Sequence, residues 1–105
     1  MNARTQNDFA HLRASGAAVR HAFDTMRTAC KPGMTTAELD AIGAQILAEH
    51  DAVSAPQYYY DFPGTTCISL NEQAAHGIPG DTVIAAGDMI NIDVSANRRG
   101  FVADM

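Results

Sequence analysis

Apolar residues in the first third of the chain recur at helical spacing. From Phe9 to Met26 they appear every three or four positions, while two arginines and Asp24 lie between them. This spacing places the apolar side chains on one face of an α-helix and the charged ones off it, which predicts a helix over residues 7–29. The segment Lys31-Pro32-Gly33 ends the helix, because proline cannot continue it and glycine suits the exit.

A second helix is predicted from about Thr35 to His50. Thr35 and Glu38 have the spacing of a capping box, in which each side chain accepts a hydrogen bond from the backbone N–H of the other residue. The apolar face of this helix comes from four residues, Leu39, Ile42, Ile46 and Leu47. Their spacing again favours a helix with one buried side.

The pattern changes to short strands in the second half of the chain. Residues 51–65 hold two prolines, a glycine and three consecutive tyrosines and predict an irregular connection, after which residues 67–70 form a short strand. Over residues 89–96, apolar side chains alternate with polar ones, which is the period of a strand with one buried face. A turn at residues 97–100 and a return strand at 101–104 follow. Helices followed by strands predict an α+β fold.

Composition narrows the class of protein. A length of 105 residues suits one domain, and 47% hydrophobic residues support a packed core. A net charge of −5 argues against a nucleic-acid-binding protein, whose surface normally carries a basic patch. The chain shows no secretory signal and no apolar run near the ~20 residues that cross a bilayer, and its two cysteines form no CxxC pair. We therefore expect a cytoplasmic protein with no direct nucleic-acid partner and no membrane partner.

Asp93 and Asp104 give the clearest chemical signal. If Asn97 faces Gly100 across the predicted turn, the same register pairs Asp93 with Asp104, with Cβ atoms ~4.5–5.5 Å apart. Directly opposed carboxylates repel each other, and divalent cations between them remove the repulsion, since carboxylates can bridge metals ~3.5–4 Å apart. Two alternatives stay open. In the first, one of the two carboxyls is protonated and so does not repel the other. In the second, a bulge at Gly100 turns the two side chains to opposite faces.

His76 and a group of aromatic residues are candidates for a binding pocket. His76 is followed by Gly-Ile-Pro-Gly, which holds its imidazole in a loop, either facing a pocket or bonded to a nearby carbonyl. The tyrosines at 58–60, Phe62 and Cys67 either line an apolar pocket or pack in the core. Such a pocket suits an unbranched thioether, because sulfur packs well against aromatic rings. The remaining histidines, in or near the helices, are interpreted as surface or packing residues.

Several segments together resemble the first half of type I methionine aminopeptidases, which are pita-bread metallopeptidases. The resemblance runs from about residue 10 to the end, and the order and spacing of its segments make it specific. The matching segments are Lys31-Pro32-Gly33-Met34-Thr35-Thr36, Asp61-Phe62-Pro63, Cys67-Ile68-Ser69-Leu70-Asn71-Glu72, His76-Gly77-Ile78-Pro79-Gly80-Asp81, Gly87-Asp88 and Asn91-Ile92-Asp93-Val94. It implies that residues 1–105 form a single incomplete domain, the N-terminal half of a creatinase/aminopeptidase-like fold with two helices followed by antiparallel strands.

The resemblance also implies a role for each matching residue. Asp93 matches an aspartate that holds one metal ion, and Asp104 matches one that bridges two. His76 matches the histidine that contacts the substrate near the scissile bond and stabilises the reacting amide. The positions that match the lining of the pocket for the N-terminal methionine side chain are Tyr59, Phe62 and Cys67.

The activity implied by the resemblance is removal of the N-terminal methionine from nascent proteins, with a metal-bridging hydroxide attacking the first peptide carbonyl. The cofactors would be two divalent metal ions, Mn, Fe, Co or Zn, and the substrate a peptide or nascent-protein N-terminus. The full-length form would be a monomer. Alternatives are a related pita-bread peptidase, such as an Xaa-Pro aminopeptidase, or a non-catalytic binding module.

The chain also departs from the family pattern. The remaining metal ligands of the family, one histidine and two glutamates, match nothing before Met105. Phe101-Val102-Ala103 replaces a commoner aromatic-x-Gly pattern ahead of Asp104, which is a mild change. We therefore expect the 105-residue chain alone to bind metal poorly and to be inactive.

Overall fold

The structure is a computed structural model that describes residues 6–55, 64–70, 78–98 and 100–104. Within these residues, two helices precede five short strands, all paired antiparallel in a three-stranded sheet and a two-stranded sheet. The elements are α1 (Gln6–Ala29), α2 (Thr36–Glu49), β1 (Val53–Ser54), β2 (Cys67–Leu70), β3 (Ile90–Asp93), β4 (Ser95–Arg98) and β5 (Phe101–Asp104). The larger sheet has the order β1-β4-β5, and β2 pairs with β3. The predicted α+β class is confirmed.

Both helices have nearly the predicted bounds, because local signals set them. At the start of α2, Thr35 Oγ1 accepts a hydrogen bond from Glu38 N at 3.1 Å, and Glu38 Oε1 accepts one from Thr35 N at 2.9 Å. The predicted capping box is therefore present. α1 ends at Ala29, ahead of Gly33, whose φ of 96° suits the exit from a helix. In the described ranges, neither helix is long and apolar enough to span a bilayer.

The core lies where α1 packs on α2, β4 and β5. Gly43 of α2 allows a close approach of the helices, because a Cβ there would lie 2.6 Å from Met26 Sδ. The largest fully buried apolar side chains are Val19, Met26, Leu39, Leu47, Ile68, Ile84 and Val94. Ile90 and Ile92 pack against this cluster and Ala96 belongs to it, which confirms the inward face predicted for residues 89–96.

His50 connects the end of α2 to α1 and to β4. His21 Nδ1 and His50 Nε2 lie 2.8 Å apart, and their rings meet edge to face. Arg98 Nε donates a hydrogen bond to the backbone oxygen of His50 at 3.0 Å. His21 and His50 therefore serve as packing residues between elements, as predicted from their positions.

Two predictions in the strand region are wrong in part. Residues 89–96 do not form one strand, because β3 ends at Asp93 and the chain passes through buried Val94 into the other sheet. Residues 51–65 are not wholly irregular either. Two of them form β1, which pairs with β4 through Val53 and Asn97.

The predicted register of the hairpin between β4 and β5 is also wrong. Ser95 pairs with Asp104, and Asn97 pairs with Val102 instead of Gly100. Gly100 has a φ of 86°, and its N–H donates to Asn97 Oδ1 at 2.8 Å. This side-chain bond takes the place of the expected strand pairing, so β4 continues through Arg98. Asp93 and Asp104 are consequently not directly opposite each other.

Candidate metal and substrate site

Asp93 and Asp104 each end a strand, and their backbones lie close in the register. Asp93 is exposed, and Asp104 pairs through its backbone with Ser95, the second residue after Asp93. The side chain of Asp104 lies outside the described part of the structure. Asp93 itself pairs with β2, so the two aspartates belong to different sheets, which the chain joins at Val94.

Cys67 is the direct cross-strand partner of Asp93. β2 and β3 pair Cys67 with Asp93 and Ser69 with Asn91. Opposed residues in an antiparallel pair have Cβ atoms ~4.5–5.5 Å apart, so the half-buried thiol lies beside the carboxylate. The structure thus brings together a candidate pocket residue and a candidate metal ligand that the sequence analysis treated separately.

The other candidate residues, Tyr59, Phe62 and His76, lie outside the described residues. The segments that contain them nevertheless meet at their described ends. Gly64 is buried, and a Cβ at that position would lie 2.7 Å from Pro79 Cδ. Only a glycine therefore fits beside the proline ring without a shift. Gly64, two residues after Phe62, and Pro79, three residues after His76, are therefore in direct contact.

A buried carboxylate that the sequence analysis did not single out holds the residues ahead of Cys67. Asp40 of α2 is 9% exposed and accepts hydrogen bonds from Thr65 N at 3.0 Å, Thr66 N at 2.7 Å and Thr66 Oγ1 at 2.5 Å. Ser54 Oγ donates to Thr65 O at 2.7 Å from the opposite side. Hydrogen bonds to an ionised acceptor are worth ~1.5–3 kcal/mol each, so this contact is strong.

Thr36 makes an equivalent contact one helical turn earlier. Its hydroxyl accepts from Gly80 N at 2.8 Å and donates to Gly80 O at 3.2 Å. The Ala37 N–H also donates to Gly80 O at 2.9 Å, and the Thr36 N–H donates to Thr82 O at 3.0 Å. The segment after His76 therefore satisfies N–H groups that the first turn of α2 cannot pair internally.

The spacing of α2 contains a signal for both residues. Four of the five buried residues of α2 lie at intervals of four, three and four and form one stripe along the helix: Thr36, Asp40, Gly43 and Leu47. A threonine and an aspartate on such a stripe need polar partners, because an unpaired buried charge is costly. The prediction for α2 used only its apolar residues, so Leu47 was the one member of this stripe that it included.

One carboxyl group in α2 has a shifted pKa. Hydrogen bonds from the Thr35 backbone N–H, and secondarily from the Thr35 hydroxyl, hold the pKa of Glu38 below its ordinary value of 4.5. Both bonds favour the ionised form, which accepts them. Since Glu38 is exposed at the helix start, this shift concerns the cap of α2 and not the candidate site.

The donor set fits a divalent cation only in part. Asp93 and Asp104 offer carboxylate oxygens, which suit hard ions such as Mn²⁺. Among the residues that the structure describes, no group of three or more His, Cys, Asp or Glu residues is placed to hold a metal ion. Two carboxylates cannot complete the coordination of two ions. The residues present are compatible with a metal centre that needs further ligands.

Comparison with known proteins identifies the family. The model of metallopeptidase family M24 matches residues 10–105, which is most of the chain. The chain therefore belongs to metallopeptidase family M24, and its fold is the N-terminal half of the pita-bread fold, as the resemblance implied.

Named relatives and solved structures make the similarity more specific. The chain is 49% identical over 104 residues to the methionine aminopeptidase of Staphylococcus epidermidis, covering 99% of this chain and 41% of that protein. It also matches the crystal structure of methionine aminopeptidase from Rickettsia prowazekii, with a TM-score of 0.88 and 34% identity over 99% of this chain and 42% of that one. The chain thus spans about two fifths of the length of these relatives.

The fold alone is shared more widely. The X-Pro aminopeptidase from Thermotoga maritima matches with a TM-score of 0.75 and 21% identity, covering 96% of this chain and 27% of that one. Identity at this level shows a common fold and says nothing about substrate. The Xaa-Pro alternative therefore has less support than the methionine aminopeptidase interpretation.

Proposed function

We propose that this chain forms the N-terminal half of the catalytic domain of a methionine aminopeptidase, which removes the N-terminal methionine from nascent proteins. The observation that supports this most directly is the strand register. It places Asp93 beside Cys67 and two residues from the partner of Asp104. The chain is also 49% identical over 104 residues to a protein named methionine aminopeptidase, and this similarity supports the same function.

Asp93 and Asp104 are the proposed metal ligands of this chain. Bound there, two divalent ions of Mn, Fe, Co or Zn would supply Lewis-acid activation of water and of the scissile carbonyl. The two carboxylates neutralise part of the positive charge and fix the site relative to the strands. One histidine and two glutamates from residues outside 1–105 would complete the coordination, so the 105-residue chain alone would be inactive.

His76, Tyr59, Phe62 and Cys67 are the proposed substrate contacts. His76 would donate a hydrogen bond near the scissile amide and stabilise the charge that develops on its oxygen. Tyr59, Phe62 and Cys67 would enclose the methionine side chain, whose thioether packs well against aromatic rings. The Cys67–Asp93 pairing supports this division of roles, because it sets one proposed pocket residue opposite one proposed metal ligand.

The cellular setting follows from the same proposal. The substrate is the free N-terminus of a peptide or nascent protein, and the enzyme acts in the cytoplasm as a monomer. Direct binding to nucleic acid is not expected for a chain with a net charge of −5. A membrane partner is not expected either.

The test is release of methionine by the full-length protein that contains this chain. Three peptides are compared in Mn²⁺, Fe²⁺, Co²⁺ or Zn²⁺: one that starts with methionine and alanine, its N-acetylated form, and one with proline second. We expect hydrolysis of the first, none of the acetylated form, and a kcat lower by about 10²–10³ in His76→Ala, as for loss of a donor to the developing oxyanion.

The exposed substitution Asp24→Asn is the control and should leave kcat unchanged, since Asp24 lies on the surface of α1. Preference for the peptide with proline in second position would favour the Xaa-Pro alternative. Absence of hydrolysis with all four metals would contradict the proposed activity.

A further inference from the structure

We propose that Thr36 and Asp40 are positioning residues that hold two segments next to the proposed substrate contacts, residues 65–66 ahead of Cys67 and residues 79–80 after His76. This inference rests on the proposed function. The two residues are one turn apart on the buried stripe of α2, and each holds a different segment of chain. Neither residue belongs to the proposed set of ligands and substrate contacts.

Asp40 holds the segment that leads into Cys67, one of the proposed pocket residues. Its two carboxylate oxygens accept from two consecutive backbone N–H groups, those of Thr65 and Thr66, and Thr66 is completely buried. Thr66 immediately precedes Cys67, the first residue of β2. Any change in the length or angle of the Asp40 contact is therefore transmitted to the start of β2.

Thr36 holds the segment around Gly80. Its hydroxyl bonds both the N–H and the carbonyl of Gly80, which leaves that peptide segment little freedom to slide. Gly80 follows His76 by four residues, and Pro79 between them touches Gly64. The two held segments therefore converge, with α2 on one side and the Gly64–Pro79 contact on the other.

α2 is suited to this role because it is itself rigidly placed. Leu39 and Leu47 are buried in the core, and Gly43 allows Met26 to pack directly against the helix. The capping box fixes its first turn. Precise sites are built on side chains whose own supports are fixed, so a packed helix is a better base than a loop.

The test compares kinetic parameters of full-length variants on a methionine peptide and on the same peptide with leucine first. Asp40→Asn keeps one accepting oxygen and replaces the other with an NH2 group, so the side chain can no longer accept from the Thr65 and Thr66 N–H groups with one oxygen each. We expect the KM for the methionine peptide to rise about tenfold and kcat to change by less than about threefold, as for a loss of binding geometry. The preference for methionine over leucine should fall as well.

Thr36→Val removes the hydroxyl and should change KM and the methionine preference in the same sense, while Thr36→Ser keeps the hydroxyl and should restore both. Thr35→Ala is the matched control. It removes the cap of the same helix but touches neither Thr65–Thr66 nor Gly80, so it should lower thermal stability without changing the methionine-to-leucine preference. Thr66→Val removes only the hydroxyl that donates to Asp40 and leaves α2 unchanged, so its effects on KM and on the methionine preference should be smaller than those of Asp40→Asn.

Hydrogen exchange separates this inference from the proposed function. Asp40→Asn should accelerate exchange at whichever of the Thr65 and Thr66 amides loses its acceptor but not at Gly80, and Thr36→Val should accelerate exchange at Gly80 but not at Thr65 or Thr66. A wild-type protein that releases no methionine overturns the proposed function and this inference with it. Wild-type activity together with faster exchange but unchanged KM and preference overturns this inference alone. Equal kinetic effects of Thr35→Ala and Asp40→Asn would likewise assign Asp40 a merely structural role.

Discussion

Gly64 and Pro79 show how little space single residues leave next to the proposed site. The Cβ of any other residue at position 64 would lie 2.7 Å from Pro79 Cδ and 2.9 Å from Pro79 Cγ. A proline ring cannot move aside like the end of a flexible side chain, so the two backbones would have to separate. Gly16 offers a useful contrast. It lies within α1, and no side chain or neighbouring segment comes within 4 Å of the position that a Cβ would occupy there.

At this scale we predict opposite effects for two glycine substitutions. Gly64→Ala should lower the free energy of unfolding by about 1–3 kcal/mol, the usual cost of overpacking. Gly16→Ala should raise it by about 0.4–1 kcal/mol, because alanine is the better helix former and restricts the unfolded chain. Urea denaturation of the full-length variants measures both. Destabilisation by Gly16→Ala, or an unchanged stability in Gly64→Ala, would contradict the described contacts.

Among the elements, α2 contacts several separate parts of the described chain. Its first turn contacts the segment after Pro79, its stripe holds the residues ahead of β2, and its last turn joins His50 to α1 and β4. Its start is defined by the capping box of Thr35 and Glu38. The stability of this cap depends on the ionised form of Glu38, because both of its bonds are accepted by the carboxylate.

The capping box predicts a specific dependence on pH. Because the pKa of Glu38 is lower in the folded state than its ordinary 4.5, the contribution of its charge is fully present above that value. It is lost as the pH falls through the folded-state pKa. Glu38→Gln keeps an accepting oxygen but has no charge to lose, so the wild-type advantage in midpoint temperature should be larger at neutral pH than in acid. Thermal melts of both proteins across this range provide the measurement, and an advantage that grows on acidification would refute it.

The elements differ in how far the sequence alone could predict them. The bounds of α1 and α2 were predictable because capping boxes and Pro-Gly stops act within a few residues. The register of β4 and β5 was not predictable. It depends on the hydrogen bond that the Gly100 N–H donates to Asn97 Oδ1, which competes with pairing between the strands. β1 is only two residues long, and its pairing with β4 joins residues far apart in sequence. The contact of Cys67 with Asp93 is of the same long-range kind.

For the whole molecule, the central proposal is a metal centre to which Asp93 and Asp104 would contribute ligands. The chain covers about two fifths of the relatives that it matches, and its strands pair Asp104 with Ser95, the second residue after Asp93. The family was predictable from the order and spacing of the matching segments. The placement of Asp93 and Asp104 in two different sheets was not, because the passage of the chain between sheets at Val94 is a property of tertiary structure.

Calorimetric titration of the metal-free, full-length protein with Mn²⁺ tests the metal-binding claim most directly. The wild type should bind two Mn²⁺ ions, and the surface control Asp24→Asn should bind the same number with the same affinities as the wild type. The Asp93→Asn protein should bind one ion fewer, or bind Mn²⁺ at least about tenfold more weakly. Even substitution of a residue that only hydrogen-bonds to a metal ligand usually lowers the metal affinity by this factor. An Asp93→Asn protein that binds Mn²⁺ with the affinity and stoichiometry of the wild type would contradict the assignment of Asp93 as a ligand and, with it, the proposed centre.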